Sequence, residues 1–573
     1  MRTRALRRPG GDRAGAVALE ATAVLGLGLL AAVATTWPLA LDLGTRVHNS
    51  SDAPFQAWTI DWVQRALTTG GPLWDANIYA PNDNTLAYSD SLLCLAVPLL
   101  PLRWLGAGPV TQLNVALLLG MATSAAGGYL LGRVVTRSPA VGALVGVAFA
   151  FGPFGTASAS QVHSTIHVGV AVTGAAAWWL ADRAERDRPL LAPAVLLGGS
   201  LAWMASVSFY PGAYAVVTTL VVLAVRWRAL GRRGARAALA SLAAVAVVAG
   251  LLLLPYLEVV SEDRAFVQSR RDVAGLGVDL LRVEDRLEVL GPVLGTEAIF
   301  PLPAFPGVTL LLLAAVGLVS GLRAGPERRP VVVLSVVLLG VGLLLGLGTS
   351  DEGWRTWSPY GLLFDHVPGV STLRGAARAW IIGLLGLGLL AGLGAVAVGT
   401  WLGRRLAGRL RPSLRGRLVP FVAGVAVLAV LVEGFASWED RPTVAVSAVD
   451  RALADEPREG GVLYLPALVE GPLAFPTTFG QVENVYGSTA HHRRMPNGYS
   501  GLVPEEWPAL SERMRALPSA PTLRELADLD VVFVVVRTEV AGTPWEPLLE
   551  PDRAGPLKLL GRYDGDLLYE LPT

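Results

Sequence analysis

The first 41 residues, MRTRALRRPGGDRAGAVALEATAVLGLGLLAAVATTWPLAL, join a basic amino-terminal segment to a long apolar run. The run has no small-residue cleavage site, and it is near the ~20 residues that a helix needs to cross a bilayer. It therefore predicts an uncleaved first span, and the arginines before it place the amino terminus in the cytoplasm. Because every later span reverses the direction of the chain, this first span sets the side of each loop that follows.

The rest of the chain repeats the apolar pattern. Of the 573 residues in the whole chain, 52% are hydrophobic and only 16% are charged, which is typical of a polytopic α-helical membrane protein. The formal net charge of +1 does not indicate a nucleic-acid partner, and the single cysteine, Cys94, excludes an intramolecular disulfide. The apolar runs predict about eleven spans, near residues 16–36, 109–132, 138–154, 165–181, 190–208, 212–227, 237–257, 306–322, 330–348, 380–402 and 418–435.

The arginines then fall in alternate loops, all on the cytoplasmic side: Arg133 and Arg137, and residues 183–188, 226–236, 323–329 and 404–417. The segment 91–104 is apolar but short, and it contains two prolines. If it crossed the membrane, every later arginine cluster would face outward, so we interpret it as re-entrant or interfacial. The outer face then carries residues 37–108, 259–305 and 349–379 and the tail.

The tail differs in composition from the membrane part. Its strand-like runs GVLYLPAL and DVVFVVV, its helical SERMRAL and ELADLD, and the closing hairpin LLGRYDGDLLYELP predict a soluble α/β domain. We therefore divide the chain into a transmembrane domain, residues 1–436 with the first outer loop 37–108, and an extracytoplasmic domain, residues 437–573.

The first outer loop is rich in acidic and aromatic residues, SDAPFQAWTIDWVQRALTTGGPLWDANIYAPNDNTLAYSD (residues 51–90). Its first part predicts a helix on the membrane surface, with Phe55, Trp58 and Trp62 along one stripe. Asp52 falls near the N-cap, so it either caps this helix or presents its carboxylate at the level of the lipid headgroups. Asp61 falls on the more polar side, where a solvated charge is expected.

The second part of the loop, WDANIYAPNDNTLAYSD, offers carboxylates and aromatic rings suited to a sugar. The candidates are Asp75, Tyr79, Tyr88 and Asp90. Turn formation alone also accounts for its asparagines and aspartates.

Two other outer segments carry cationic or titratable groups. SQVHSTIH places His163 and His167 four residues apart, where they would share a helix face and hold a phosphate or a metal ion, or simply be tolerated at the interface. STLRGAARAW places Arg374 and Arg378 four residues apart at the entrance to the tenth span, where they could clamp an anionic headgroup. Ordinary snorkelling is the alternative, although the positive-inside rule does not explain arginines on this face.

The tail contains an aromatic and basic loop, NVYGSTAHHRRMPNGYSG, which includes Tyr499. This loop either faces the same cavity and selects the acceptor, or only covers the membrane part.

These segments, in their order along the chain, resemble a known family. The first span, the outer loop with DANIYAPNDNTLAYSD, then SQVHSTIH, VSFYPGAY, VPGVSTLRGAARAW and NGYSGLVPEEW are similar to bacterial multi-spanning glycosyltransferases of the GT-C type. More narrowly, they resemble the branch of YfhO-like and dolichyl-phosphate-mannose mannosyltransferase-like membrane proteins. The resemblance covers nearly the full chain, with loose motifs. It implies a GT-C-like fold in the plasma membrane, surrounded by membrane lipids, and transfer from a polyprenyl-phosphate sugar donor to an extracytoplasmic glycan or lipid acceptor.

The resemblance also implies roles for residues. In such enzymes an acidic residue of the first outer loop deprotonates the acceptor hydroxyl, and Asp52 is the matching position. This chain reads SDAP there and lacks the usual adjacent acidic pair, so a divalent metal ion is left open as a cofactor. The predicted substrate-binding residues are Asp61, Asp75, Tyr79, Tyr88, Asp90, His163, His167, Arg374, Arg378 and Tyr499.

A competing class is a non-catalytic glycolipid-binding, flipping or cell-envelope assembly protein. A transporter would carry charges near the middle of its spans. The predicted spans contain essentially none, apart from edge positions such as Glu20. This favours chemistry at the outer surface.

Overall fold

The structure is a computed structural model, and it describes residues 11–157, 161–262, 305–351, 353–367, 370–372, 375–435, 438–467 and 479–572. The helices before the tail are α1 (Gly11–Thr35), α2 (Asp52–Thr69), α3 (Leu93–Trp104), α4 (Pro109–Thr136), α5 (Pro139–Phe151), α6 (Pro153–Ala157), α7 (Val168–Glu185), α8 (Leu191–Val207), α9 (Phe209–Val225), α10 (Trp227–Glu262), α11 (Val308–Leu322), α12 (Arg329–Gly346), α13 (Pro359–His366), α14 (Trp380–Arg405), α15 (Pro412–Arg415) and α16 (Leu418–Glu433).

Each predicted span coincides with an apolar helix. In the described part of the chain, seven helices are long and apolar enough to cross a membrane, and five more are apolar but shorter. The protein is therefore a multi-pass membrane protein, while the number of eleven spans stays a prediction. The twelfth apolar helix is α3, whose 12 residues rise only about 18 Å, well short of a hydrocarbon core of about 30 Å.

Helix α14 lies at the centre of the bundle, against α5, α11 and α12. Most of its side chains are buried, which explains why the tenth span reads as apolar on all sides. Small residues let the backbones approach closely. A Cβ on Gly317 of α11 would collide with the carbonyl oxygen of Leu390, and one on Gly394 would collide with that of Leu313.

The tail folds as predicted into strands and helices around one sheet. Its helices are α17 (Ala448–Asp455), α18 (Phe479–Gly487), α19 (Glu506–Met514) and α20 (Ala520–Asp528), and its strands are β1 (Gly461–Leu465), β2 (Val531–Val536), β3 (Lys558–Tyr563) and β4 (Asp566–Glu570). The sheet order is β1-β2-β4-β3, with β1 parallel to β2 and the β3–β4 hairpin antiparallel. The two predicted strands and the closing hairpin are thus confirmed, while the domain boundary at residue 437 stays a prediction.

The tail packs directly on the first outer loop. The Tyr79 N–H donates to the Asn497 carbonyl at 3.0 Å, and the Met495 N–H donates to the Asn77 carbonyl at 2.9 Å. Helix α18 lies against α2, and 13 of the 18 residues of α2 are buried. The prediction that one side of α2 is polar and solvated is therefore wrong, because α3, α4 and the tail cover that side. That α2 lies on the membrane surface stays a prediction.

Candidate active site

Asp52 is the first residue of α2, but its side chain does not cap that helix. The Asn49 carboxamide oxygen accepts the Ser51 and Ala53 backbone N–H groups instead, at 3.1 and 3.2 Å. The capping interpretation of Asp52 is therefore wrong. Its carboxylate turns to other segments of the chain, where it accepts hydrogen bonds from Gln161 Nε2 at 3.0 Å and from the Tyr499 hydroxyl at 3.2 Å.

Gln161 joins Asp52 to a cation. The carboxamide donates to Asp52 through Nε2, and its Oε1 accepts a hydrogen bond from Arg378 Nη2. Arg378 lies in the 3-10 turn Ala376–Ala379 that leads into α14, and its guanidinium stacks 4.7 Å above the ring of Tyr210. A guanidinium over an aromatic face is attracted to the ring quadrupole, which helps to fix its plane. A carboxylate and a guanidinium are thus held by the two ends of one side chain.

These contacts bring together five segments that are far apart in sequence. Asp52 comes from the first outer loop, Gln161 from the connection between α6 and α7, Tyr210 from the start of α9, Arg378 from the start of α14, and Tyr499 from the tail. All five were predicted to lie on one side of the membrane, and they do meet at one end of the bundle. Which side of the membrane this end faces stays a prediction.

His163 and Asp90 lie beside this cluster. His163 Nε2 is 3.6 Å from Asp90 Oδ2, and the charges that act on the imidazole are those of Asp90, Arg378 and Asp52. Neither ring nitrogen of His163 has a hydrogen-bond partner among the residues described, although both are buried. A buried imidazole without partners is costly, so a ligand that satisfied it would be favoured here.

The two histidines do not share a helix face as predicted. His163 lies in the 3-10 turn Val162–Ser164, whereas His167 immediately precedes α7. Both are buried, and the His167 ring packs against Phe149 with the ring centroids 5.9 Å apart. His163 therefore reaches the Asp90 side of the cluster, while the His167 ring faces Phe149.

Asp90 is positioned by Tyr256 of α10. The Tyr256 hydroxyl donates to the Ser89 carbonyl at 3.0 Å and accepts the Ser91 N–H at 3.1 Å, so it holds the backbone on both sides of Asp90. Asp90 also lines a small pocket with Ser208 and Phe209, of about 10 Å³, which is room for about one water molecule.

Asp61 was expected to be a solvated charge, and this expectation is wrong. Its side chain is only 7% exposed, and both oxygens are paired, one with Arg103 Nη1 at 2.5 Å and the other with His492 Nε2 at 2.7 Å. It therefore ties α2 to α3 and to the tail. Asp75 is exposed and accepts the Asn84 N–H at 2.9 Å, which holds a turn. A substrate-binding role for these two residues stays a prediction.

Tyr79 and Tyr88 lie in the interface between the loop and the tail. Tyr79 has a positive φ of 54° and is buried between Tyr88 and Trp507, with ring centroids 5.9 and 6.4 Å away. Burial raises the pKa of the Tyr79 hydroxyl well above its usual value. Arg374, the second arginine of the predicted clamp, lies outside the described residues.

Two parts of the tail loop make different contacts. Tyr499 reaches Asp52, while the preceding residues fix the loop. The Tyr464 hydroxyl donates to Asp450 Oδ1 and contacts His491 Nε2, both at 2.8 Å, and His491 Nδ1 accepts the Arg493 N–H at 3.0 Å. Burial lowers the pKa of His491 to about 4, which keeps the ring neutral in this network. The loop thus presents Tyr499 from a rigid support.

Sequence reasoning missed Gln161, because an uncharged amide has no distinctive pattern; its position within SQVHSTIH was the only signal. Among the described residues, no group of three or more His, Cys, Asp and Glu side chains is arranged to hold a metal ion. Metal dependence therefore stays open.

No protein-family model matches the chain, and no curated protein matches it in sequence. Solved structures of membrane glycosyltransferases do match it in fold. The mycobacterial arabinofuranosyltransferase AftD superposes with a TM-score of 0.54 at 16% identity, over 96% of this chain and 40% of that one. A mutant of AftD gives a TM-score of 0.57 at 15% identity, over 97% and 41%.

ArnT from Cupriavidus metallidurans, bound to undecaprenyl phosphate, matches over 98% of both chains, but its TM-score of 0.48 is too low to support an argument. The chain spans about two fifths of AftD, and identity this low shows the fold alone. The predicted fold class, a polytopic GT-C-like membrane protein with a small C-terminal α/β domain, is confirmed. The narrower branch of the family stays a prediction.

Proposed function

We propose that this protein is a membrane glycosyltransferase. It would move a sugar from a polyprenyl-phosphate-linked donor to a glycan or lipid acceptor on the extracytoplasmic face of the plasma membrane. The observation that carries the proposal is the carboxamide of Gln161, which bonds the Asp52 carboxylate at one end and the Arg378 guanidinium at the other. These are the two charges that the reaction needs, and they lie side by side in a protein with a GT-C-like fold.

Asp52 would act as the general base. As the acceptor oxygen bonds to the anomeric carbon, its proton passes to the Asp52 carboxylate, a step that typically contributes about 10²–10⁴ in rate. The bond between the anomeric carbon and the phosphate oxygen breaks on the opposite face of the sugar, and the phosphate leaves with the electron pair. The anomeric configuration is therefore inverted.

The hydrogen bonds that the Asp52 carboxylate already accepts orient it and leave lone pairs free on both of its oxygens. Gln161 donates to Oδ2 and Tyr499 to Oδ1, and each carboxylate oxygen has two lone pairs. One lone pair on each oxygen is thus available to the acceptor hydroxyl. Because Tyr499 belongs to the tail, the tail takes part in setting the direction of the base, and we propose that it also guides the acceptor.

Arg378 would hold the departing phosphate. A guanidinium has five N–H donors in a rigid plane, and one of them is used on Gln161, so it can still bind phosphate oxygens bidentately. Helix α2 also points its amino-terminal, positive end at this place. His163 and Asp90 lie on the adjoining side, where their buried or half-buried polar atoms would bind the donor. Negative charge that develops on the phosphate is thereby stabilised where it forms.

The experiment is sugar transfer by purified full-length protein in liposomes, with a panel of radiolabelled polyprenyl-phosphate sugars. Asp52→Asn should lower the rate by about 10²–10⁴ while donor binding is retained. The matched control is Asp83→Asn, an exposed aspartate of the same loop outside the cluster, which should leave the rate unchanged.

Two results would overturn the proposal in different ways. Turnover that survives Asp52→Asn would keep the enzyme and reject this base. Folded wild-type protein that binds polyprenyl phosphate but transfers no sugar from any donor would instead indicate a glycolipid-binding or flipping protein.

A further inference from the structure

A second polar cleft lies at the opposite end of the bundle from Asp52. Helix α7 begins after His167, beside the Asp52 cluster, and ends before Arg186, which lines this cleft. Its 18 residues span about 27 Å, close to the thickness of the hydrocarbon core. The two sites therefore lie at opposite ends of α7, about one hydrocarbon thickness apart. In the predicted topology the second one faces the cytoplasmic leaflet, and it is independent of the proposed transfer reaction.

The cleft has an apolar wall and a charged rim. Its volume is about 510 Å³, within the range of about 300–1,000 Å³ that is usual for sites of small molecules. The wall consists of Val134, Val135, Val141, Val331, Leu393 and Val396. The rim carries four arginines and three carboxylates, namely Arg137, Arg186, Arg226, Arg328, Asp182, Glu185 and Glu327, so cations are in excess.

Part of this charge is already paired. Arg226 Nη2 lies 3.0 Å from both Asp182 Oδ1 and Glu185 Oε2, and its guanidinium lies 4.4 Å from the centre of the Trp178 ring. Arg186 Nη2 lies 3.3 Å from Asp182 Oδ2. Asp182 is therefore already paired with Arg226 and Arg186. Arg226 is held in place by these ion pairs and by Trp178.

Arg137 and Arg328 are held less firmly. The Arg137 side chain is 72% exposed, and its Nη2 lies 4.0 Å from Asp182 Oδ2, a separation at which an exposed ion pair contributes little. Arg328 is exposed on the opposite rim, at the start of α12. Both guanidiniums can turn to an anion that arrives from the membrane surface.

We propose that this cleft binds one anionic phospholipid, with the headgroup phosphate between Arg137 and Arg328 and an acyl chain along the valine and leucine wall. The combination of wall and rim favours an amphiphile. A free anion would use only the rim, whereas an acyl chain would also contact the wall, whose side chains come from α4, α5, α12 and α14. The lipid would bridge the α4–α5 connection and the start of α12.

The test measures binding of phosphatidylglycerol and of phosphatidylcholine to the full-length protein in detergent, by native mass spectrometry. The variants are Arg137→Ala with Arg328→Ala, and Arg411→Ala as a matched control, an exposed arginine on the same predicted side that does not line the cleft. Each arginine near a membrane surface contributes about 1 kcal/mol, or about fivefold in affinity. The double variant should therefore bind phosphatidylglycerol about 25-fold more weakly, with phosphatidylcholine and the control variant unaffected.

Arg137→Lys with Arg328→Lys checks that the effect is one of charge, since this variant should retain most of the affinity. Equal binding of the two lipids, or unchanged phosphatidylglycerol binding in the double alanine variant, would overturn the proposal. Displacement of the lipid by millimolar inorganic phosphate would also overturn it, because the site would then be one for a free anion.

Discussion

Replacing Gln161 by Ala tests the link between base and cation. The substitution removes the 3.0 Å hydrogen bond to Asp52 Oδ2 and the acceptor for Arg378 Nη2, while Tyr499 remains on Oδ1. A hydrogen bond to a charged group contributes about 1.5–3 kcal/mol, so kcat/KM for sugar transfer should fall about 10- to 150-fold. The protein should stay folded, because Gln161 lies in a connecting segment rather than within a helix.

The assay is a double-mutant cycle in liposomes with Gln161→Ala, Arg378→Ala and the double variant. If Gln161 acts by holding both groups, the double variant loses less than the two single losses combined, by about 1 kcal/mol or more. Losses that add to within about 0.5 kcal/mol would mean that the two residues act independently, and this would refute the reasoning. Gln161→Glu gives a further check, because it replaces the donor facing Asp52 by a carboxylate and should be more damaging than Ala.

Three other predictions concern Arg378, Asp61 and His491. Arg378→Ala should lower kcat as well as raise the KM for the donor, because Arg378 would hold the donor phosphate and stabilise the charge that develops on it. Arg378→Lys should recover only part of the loss, because an ammonium group cannot bind bidentately, as initial rates against donor concentration would show. Asp61→Ala leaves Arg103 and His492 without their buried partner and should destabilise the docked tail by about 3–5 kcal/mol. Proteolysis of the tail should therefore be faster in this variant, whereas the control variant Asp83→Ala should be cleaved at the wild-type rate. Burial lowers the pKa of His491 to about 4, so as the pH falls the unfolded state binds a proton at this residue before the folded state does. The folded state should therefore lose on the order of 3 kcal/mol of stability between about pH 6.5 and pH 4. In the His491→Gln variant, Tm should fall less steeply as the pH is lowered.

The helices could be read from the sequence because hydrophobicity and arginine placement are local signals. The predicted spans near 109–132 and 380–402 correspond to α4 and α14. The strands of the tail followed from short β-branched and aromatic runs, and its hairpin from Asp564 and Gly565, which both adopt positive φ. That the segment 91–104, which contains α3, is re-entrant or interfacial stays a prediction.

The site could be predicted only in part, because it depends on contacts between distant segments. Asp61 was misread since its pattern shows a polar helix face, while the tail that covers this face lies more than 400 residues away. The same holds for His163 and His167, whose spacing suggested one helix, although the chain turns between them. Gln161 has no charge and no repeating partner, so only the folded arrangement reveals its place between Asp52 and Arg378.

The most direct measurement is a structure, by cryo-electron microscopy, of the Asp52→Asn variant with an intact polyprenyl-phosphate sugar bound. Our account predicts the donor phosphate within hydrogen-bonding distance of the Arg378 guanidinium, with the anomeric carbon turned toward residue 52 and His163 in contact with the donor. A donor phosphate bound elsewhere, for example between Arg137 and Arg328 at the opposite membrane surface, with the Asp52 cluster empty, would contradict it.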